Sequence, residues 1–266
     1  HGPNTAGVPG IYVGSVIPGP TGAPLRDESA IITDHTSPFA ERWGGWYVTG
    51  AQVPARHLGN VAVSHVPRSY VRADVAPRLD SGTGAFDASA YLTPHSDVAA
   101  LMVLNHQLHM TNLLIRLGWE ARVAEHDKAS RGAKLPDVRQ AARELVDYML
   151  LVDEAPLRSP VKGSTPFAQD FASKGPRDAK GRSLRDLDLT RRLLRYPCSY
   201  MIYTEAFDAL PPAARSMVYE RLWDVLSGRE TDRAYAGLSI ADRRAVVEIL
   251  RQTKKGLPAY FQAIAR

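Results

Sequence analysis

At 266 residues and 44% apolar composition, the chain is long enough for one large domain or two small ones. Its longest unbroken apolar run is Val98–Leu104, far short of the roughly 18 residues a membrane span needs, so no span of its own is expected. The net charge of +5 is uneven: Lys174, Arg177, Lys180, Arg182, Arg185, Arg191, Arg192 and Arg195 are answered nearby only by Asp178, Asp186 and Asp188. No aromatic residue interleaves these cations, which argues against nucleic acid and favours a solvated face or a docking surface for an acidic partner.

The chain begins at His1, with neither an initiator Met nor a basic-then-apolar leader. That start is expected of a processed, exported protein or of a piece of a longer one. A free N-terminal histidine can also chelate copper through its amine and ring, so a copper-binding histidine brace at His1 is one candidate.

Residues 1–92 are expected to form an irregular segment that wraps a cofactor or a helical core. Gly and Pro punctuate it (GVPG, IPGPTGAP, DSGTG), and apolar pieces such as IYVGSVI and NVAVSHV are only strand length. Within it, Trp43, Trp46 and Tyr47 surround Gly44-Gly45, flanked by Arg42, Arg56 and His57. Aromatics with arginines suit a large planar anion such as a haem with its propionates, and a Trp-anchored turn capping the core explains the same residues. His35 and His65 sit in polar contexts and are expected at the surface.

From Thr93 the pattern turns helical, giving a domain over 93–266 and a mainly α fold of about five helices. Thr93 and Pro94 predict a helix start, and the helix should run to about residue 117 or slightly beyond. On it, His95, His106 and His109 fall on one side: at about 100° per residue His106 projects about 20°, and His109 about 40°, from His95. Met102 and Leu113 share that stripe, whereas His126 lies opposite. Imidazoles in an apolar stripe need a partner, which is a backbone carbonyl, a carboxylate or a metal. His106 and His109, three apart, suit one small ion; alternatively one ring is an axial haem ligand, with Asp97 and Glu120 as supporting carboxylates. Hydrogen-bonded core histidines are the plain alternative.

Further helices are expected over 137–152, briefly near TPFAQDFA, over 188–210 with an interruption at Pro197, from Pro211-Pro212 to Ser227-Gly228, and from Ser239 to about Gly256. Cys198, alone and among apolar neighbours, is expected to be a buried inert thiol. HExxH, GxSxG, GxxxxGK[ST] and helix-opening GxGxxG are all absent, which disfavours zinc-hydrolase, serine-hydrolase and nucleotide-dependent chemistry.

Several phrases together resemble a family of exported bacterial proteins associated with cytochrome c: GVPGIYVGSV, DHTSPFAERWGGWYVTG, RHLGN, YLTPHSDVAALMVLNHQ with LHMTNL, RYPCSYMIYTEAFDALP, and RLWDVLSG through ILRQTKKGLPAYF. They cover most of the chain in order. In that family a CxxCH haem-attachment motif precedes the GVPG segment, which makes His1 its histidine and so the proximal iron ligand. The two cysteines are absent from this chain. The resemblance implies a periplasmic haem c protein that passes electrons to other redox proteins or subunits, with no substrate chemistry of its own. On that reading the sixth ligand comes from His95 or His106, with His57 next. Trp43 and Trp46 wall the ring, and Arg42 or Arg56 meets a propionate. The alternative is a cofactor-free interaction subunit that docks through Lys174–Arg195.

Overall fold

The computed structural model describes residues 5–19, 24, 30–60, 87–127 and 137–262. His1, His65 and most of NVAVSHV lie outside these residues. The protein is mainly helical, 46% helix against 8% strand.

The longest element is α1, Val98–Asp127, a stretch dense in Leu, Met and Ala. It starts at Val98, not at Thr93, and the reason is local. The Thr49 amide donates to the Ser96 carbonyl (2.8 Å) and the Val98 amide to the Thr49 carbonyl (2.9 Å), which holds the chain extended up to Asp97. The Asp97 carboxylate then caps the helix, accepting from the Ala99 (2.8 Å) and Ala100 (3.3 Å) amides. His95 is therefore not on the helix, and the expected three-histidine stripe reduces to His106 and His109.

Among the described residues α1 is the one helix long and apolar enough to cross a membrane, but 61% of its most apolar stretch is buried within the fold. It packs against α2 (Val138–Met149), which Asp137 caps through the Gln140 amide. Apolar residues line the packed face of α2: Ala141, Ala142, Leu145, Val146 and Met149 are all within 3% of full burial. α3 (Phe167–Ser173) and α4 (Glu205–Asp208) also touch α1. α5 (Pro212–Leu226), with Pro at its first position, packs on α2, and α6 (Ile240–Thr253) packs on α5. Ser239 caps α6 by accepting from the Asp242 amide at 3.0 Å. Gly228, at φ 80°, terminates α5 in the left-handed region that favours glycine.

The helix expected over 188–210 does not form as one. Asp188 accepts from the Thr190 and Arg191 amides (both 2.9 Å), an Asx turn that competes with a helical start. Leu189 adopts φ 55°, and Leu187 pairs antiparallel with Leu194, so the segment is a tight loop. Regular structure resumes only in a 3-10 turn at Tyr200–Tyr203 and in α4.

Among the described residues four short strands complete the fold. β1 (Val13–Ser15) pairs antiparallel with β2 (Ile31–Thr33) in the register Val13↔Thr33, and β3 (Gly50–Gln52) pairs with β4 (Lys162–Gly163).

Candidate functional site

The polar centre of the molecule lies where the N-terminal segment meets α1, α2 and the loop before α4. His106, on α1 and fully buried, directs Nδ1 to Nδ1 of His35 at 2.8 Å and Nε2 to the Ser199 hydroxyl at 2.7 Å. Tyr148 of α2 stacks on His35, with ring centroids 3.8 Å apart and 13° between planes, and more distantly on His106 at 5.3 Å. His109 tilts against the same tyrosine at 4.6 Å, and its Nδ1 lies 3.6 Å from Asp34, an electrostatic contact too long for a hydrogen bond.

His35, expected at the surface, is 1% exposed. Its carbonyl explains why: it accepts from Arg42 (2.8 Å) and from the Ala155 amide (3.0 Å), so residue 35 is held from both sides. Its Nε2 is buried without a hydrogen-bond partner, as is the Tyr148 hydroxyl. The His35 main-chain amide lies close enough to favour a Tyr148 phenolate slightly but does not form an aligned bond with it.

Electrostatics keep the cluster neutral at the histidines. Burial pushes His106 down to about 3, a nearby Asp34 charge offsetting part of that, and holds His35 well below the ordinary imidazole value with repulsion from His106, Arg42 and His109 added. Burial also lowers His109, Asp34 opposing. Tyr148 is raised well above the usual phenol range, chiefly by burial. Beneath the cluster the Arg42 guanidinium is lowered to about 10 by burial, with Glu154 and Asp34 as its counter-charges.

The residues expected to wall a haem are engaged within the fold. Trp43 is fully buried, its indole N–H donates to Asn105 of α1 at 2.8 Å, and its ring meets His57 edge-on at 5.6 Å. Trp46 donates to the Gly14 carbonyl at 2.9 Å. Arg42 is engaged by the His35 and Ser37 carbonyls, Arg56 is exposed, and Met102 is 2% exposed within the apolar core. Asp97 is a helix cap and Glu120 pairs with Arg116, so neither supports a histidine. Among the described residues no group of three or more His, Cys, Asp or Glu is placed to hold a metal ion. As placed, His106 has both ring nitrogens engaged, Trp43 its indole N–H, and Arg42 its Nε and one terminal nitrogen, an arrangement that does not fit a haem held among them.

His95 differs. It is exposed, its imidazole has no hydrogen-bond partner among the described residues, and it stands at the rim of an open groove of about 480 Å³. Leu101, Leu104, Gln107 and Phe167 line the groove along α1 and α3. An exposed imidazole beside apolar side chains is a set of groups that could hold a haem, the ring nitrogen its iron and the apolar side chains its ring.

The basic stretch is largely neutralised within the fold. Arg182 bonds Asp178 and Glu248, Lys180 bonds Glu248, Arg177 bonds Asp186, and Arg192 grips Asp242 with both terminal nitrogens. Arg185 lies over the Phe171 ring at 3.7 Å. His126, expected away from the stripe, is exposed beside Asp127.

Sequence reasoning passed over Tyr148, Ser199, Asn105 and Glu154. None stands in a motif, and only the polarity of Asn105 within the apolar VLNHQ run marked a buried polar contact. No protein-family model, curated protein or solved structure matches the chain.

Proposed function

We propose that the chain is a haem c electron-transfer protein or redox-complex subunit whose haem contacts the outer face of α1, away from the buried histidines. The family phrases support this reading, and one observation carries it: the exposed His95 imidazole, without a hydrogen-bond partner among the described residues, at the rim of an apolar groove. When bound, the haem supplies a reversible one-electron couple. The chain's own residues do the rest. His95 would hold the iron through a ring nitrogen, Leu101, Leu104 and Phe167 would exclude water from one side, and Gln107 would provide a polar edge. By the resemblance, His1, which lies outside the described residues, would also hold the iron, in a periplasmic setting.

An absorption spectrum of the full native protein tests this. A Soret band is expected, and His95→Ala should shift it from a low-spin to a high-spin form, whereas His106→Ala should not. A native protein without a Soret band overturns the proposal.

A second reading draws on the engagement of His106, Trp43 and Arg42 by the fold: a cofactor-free interaction subunit. Its exposed apolar side chains on α1, Ile115 and Trp119, would then be the contact surface in place of the internally paired basic stretch. It predicts a colourless, metal-free protein. Elemental analysis also decides the copper brace at His1, which requires bound copper in a correctly processed chain.

A further inference from the structure

A second concavity, of about 230 Å³, opens between the end of α2, the loop 188–197 and the turn at 234–238 that precedes α6. Its backbone frame is unusual. Of six non-glycine residues with positive φ among those described, two line this pocket, Leu151 (56°) and Asp153 (58°), and a third, Leu189 (55°), lies in the loop that supplies Arg191 and Arg192. Leucine rarely adopts that conformation, and such outliers gather where a site must be shaped.

The pocket has two characters. Leu151, Pro156, Pro197 and Leu238 make an apolar floor, while Glu154, Arg191 and Arg192 form a polar edge. Arg192 is fixed by Asp242 of α6 and by the Arg195 carbonyl. Arg191 is the more exposed of the two: its side chain is 77% exposed and lies 3.4 Å from Asp188. One Glu154 oxygen accepts from the Leu193 amide at 2.7 Å, and the other accepts no hydrogen bond among the described residues.

We propose that this pocket binds a small organic carboxylate, its charged end between Arg191 and Glu154 and its apolar body on Leu151, Pro197 and Leu238. Two carboxyl groups brought together in a pocket share a proton, so Glu154 donates its O–H to the bound anion while Arg191 supplies the countercharge. The proton comes from solvent, one for each ligand bound to ionised Glu154. Burial raises the Glu154 carboxyl to about 7, with Arg42 and Arg192 opposing and Asp188 adding to the rise. Asp153, at the rim, and Asp242, behind Arg192, are the other acids facing this edge. Proton uptake is thus available at neutral pH.

Titration of the full chain with butyrate, followed by NMR and by calorimetry in two buffers of different ionisation enthalpy, tests the proposal. Butyrate is expected to bind with proton uptake, its affinity falling about tenfold per pH unit above about 7. Glu154→Gln retains an acceptor for the Leu193 amide and should bind butyrate with no pH dependence. Arg191→Ala, a change at an exposed side chain, should weaken binding roughly tenfold. Butylamine, with the same tail and opposite charge, should not bind. Absence of butyrate binding, a pH-independent affinity in the unmodified chain, a surviving pH dependence in Glu154→Gln, or equal binding of butylamine each overturns it.

Discussion

His35 and His106 meet through their Nδ1 atoms at 2.8 Å, and two facing ring nitrogens need one hydrogen between them. The neighbouring bonds decide which ring supplies it. Ser199 Oγ already accepts from the Met201 amide at 3.2 Å, so its own hydrogen is directed to His106 Nε2. His106 then carries its hydrogen on Nδ1 and donates to His35, whose hydrogen sits on Nε2 without a partner. The reverse assignment leaves both the Ser199 hydroxyl hydrogen and the His35 lone pair unpaired. A single orphan is the lower-energy choice.

That geometry ties stability to pH. Unfolded imidazoles take up a proton near 6.5, whereas folded His106 resists until about 3 and His35 is likewise depressed. Between those values the unfolded state binds more protons, so the stabilisation is complete above about 6.5 and is lost as pH falls. His106 contributes about 1.4 kcal/mol per pH unit in that window, and His35, also lowered by burial, adds in the same direction. Glu154 acts in the opposite sense: its raised carboxyl makes the folded state bind the extra proton between about 7 and the ordinary carboxylate value. Urea unfolding from pH 7.5 to 4.5 should therefore show stability falling with acid, and more steeply in Glu154→Gln. A flat profile in that variant would refute the neutral pairing.

Asp97 and Gly163 make a second testable pair. Asp97 accepts four hydrogen bonds, from the Ala99 and Ala100 amides and from the Thr165 amide (2.8 Å) and hydroxyl (2.7 Å). A Cβ at Gly163 would lie 2.4 Å from one carboxylate oxygen and 2.5 Å from the other. Asp97→Ala should cost about 2–4 kcal/mol by removing a cap and stranding buried donors. Gly163→Ala should cost about 1–3 kcal/mol by displacing the same carboxylate. Because both act on one group, their effects should fall short of additive, as measured in a double-mutant cycle by urea denaturation.

How much of this was legible follows from the range of each signal. Caps at Asp137 and Ser239, and the Pro and Gly bounding α5, are local chemistry, and α2, α5 and α6 begin close to where the sequence places them. The start of α1 was not local: Thr49 holds Ser96 and Val98 across the fold, and no periodicity in residues 93–97 carries that information. The same holds for the polar centre. His106 was singled out from its apolar stripe, but its partner His35 sits in a loop, and loops have no period from which burial can be read. Asp188 misled in another way: helical composition continues beyond it, while its side chain satisfies the amides of Thr190 and Arg191 in a competing turn.

Asn105 joins three parts of the molecule. It accepts from the Trp43 indole at 2.8 Å and donates to the Thr33 carbonyl (2.8 Å) and hydroxyl (3.1 Å), linking the Trp-Gly-Gly-Trp turn, β2 and α1. All three residues are buried. Trp43→Phe keeps an aromatic ring but leaves the Asn105 oxygen unpaired, at a cost of about 1–3 kcal/mol. Asn105→Ala strands the indole N–H and the Thr33 carbonyl and should cost at least as much. The pair should show a coupling of about 1 kcal/mol in a double-mutant cycle, and additive effects would mean that the bond contributes nothing.

Cys198 offers a reporter of the core that contains the histidine pair. Its thiol is fully buried beside Ser199, and burial alone raises it to about 12. The thiolate is the reactive form, so both access and ionisation protect it in the folded state. Native protein at pH 8 should leave a thiol reagent unreacted, while denaturant should release one reactive thiol per chain, because the sequence contains one cysteine. Under native conditions the slow reaction should then track global opening. A substitution that breaks the ring pair, such as His106→Gln, should accelerate labelling by the factor by which it raises the unfolding constant. Rapid labelling of the unmodified protein, at the rate of an exposed thiol, would show that residues 198 and 199 open independently of the surrounding helices.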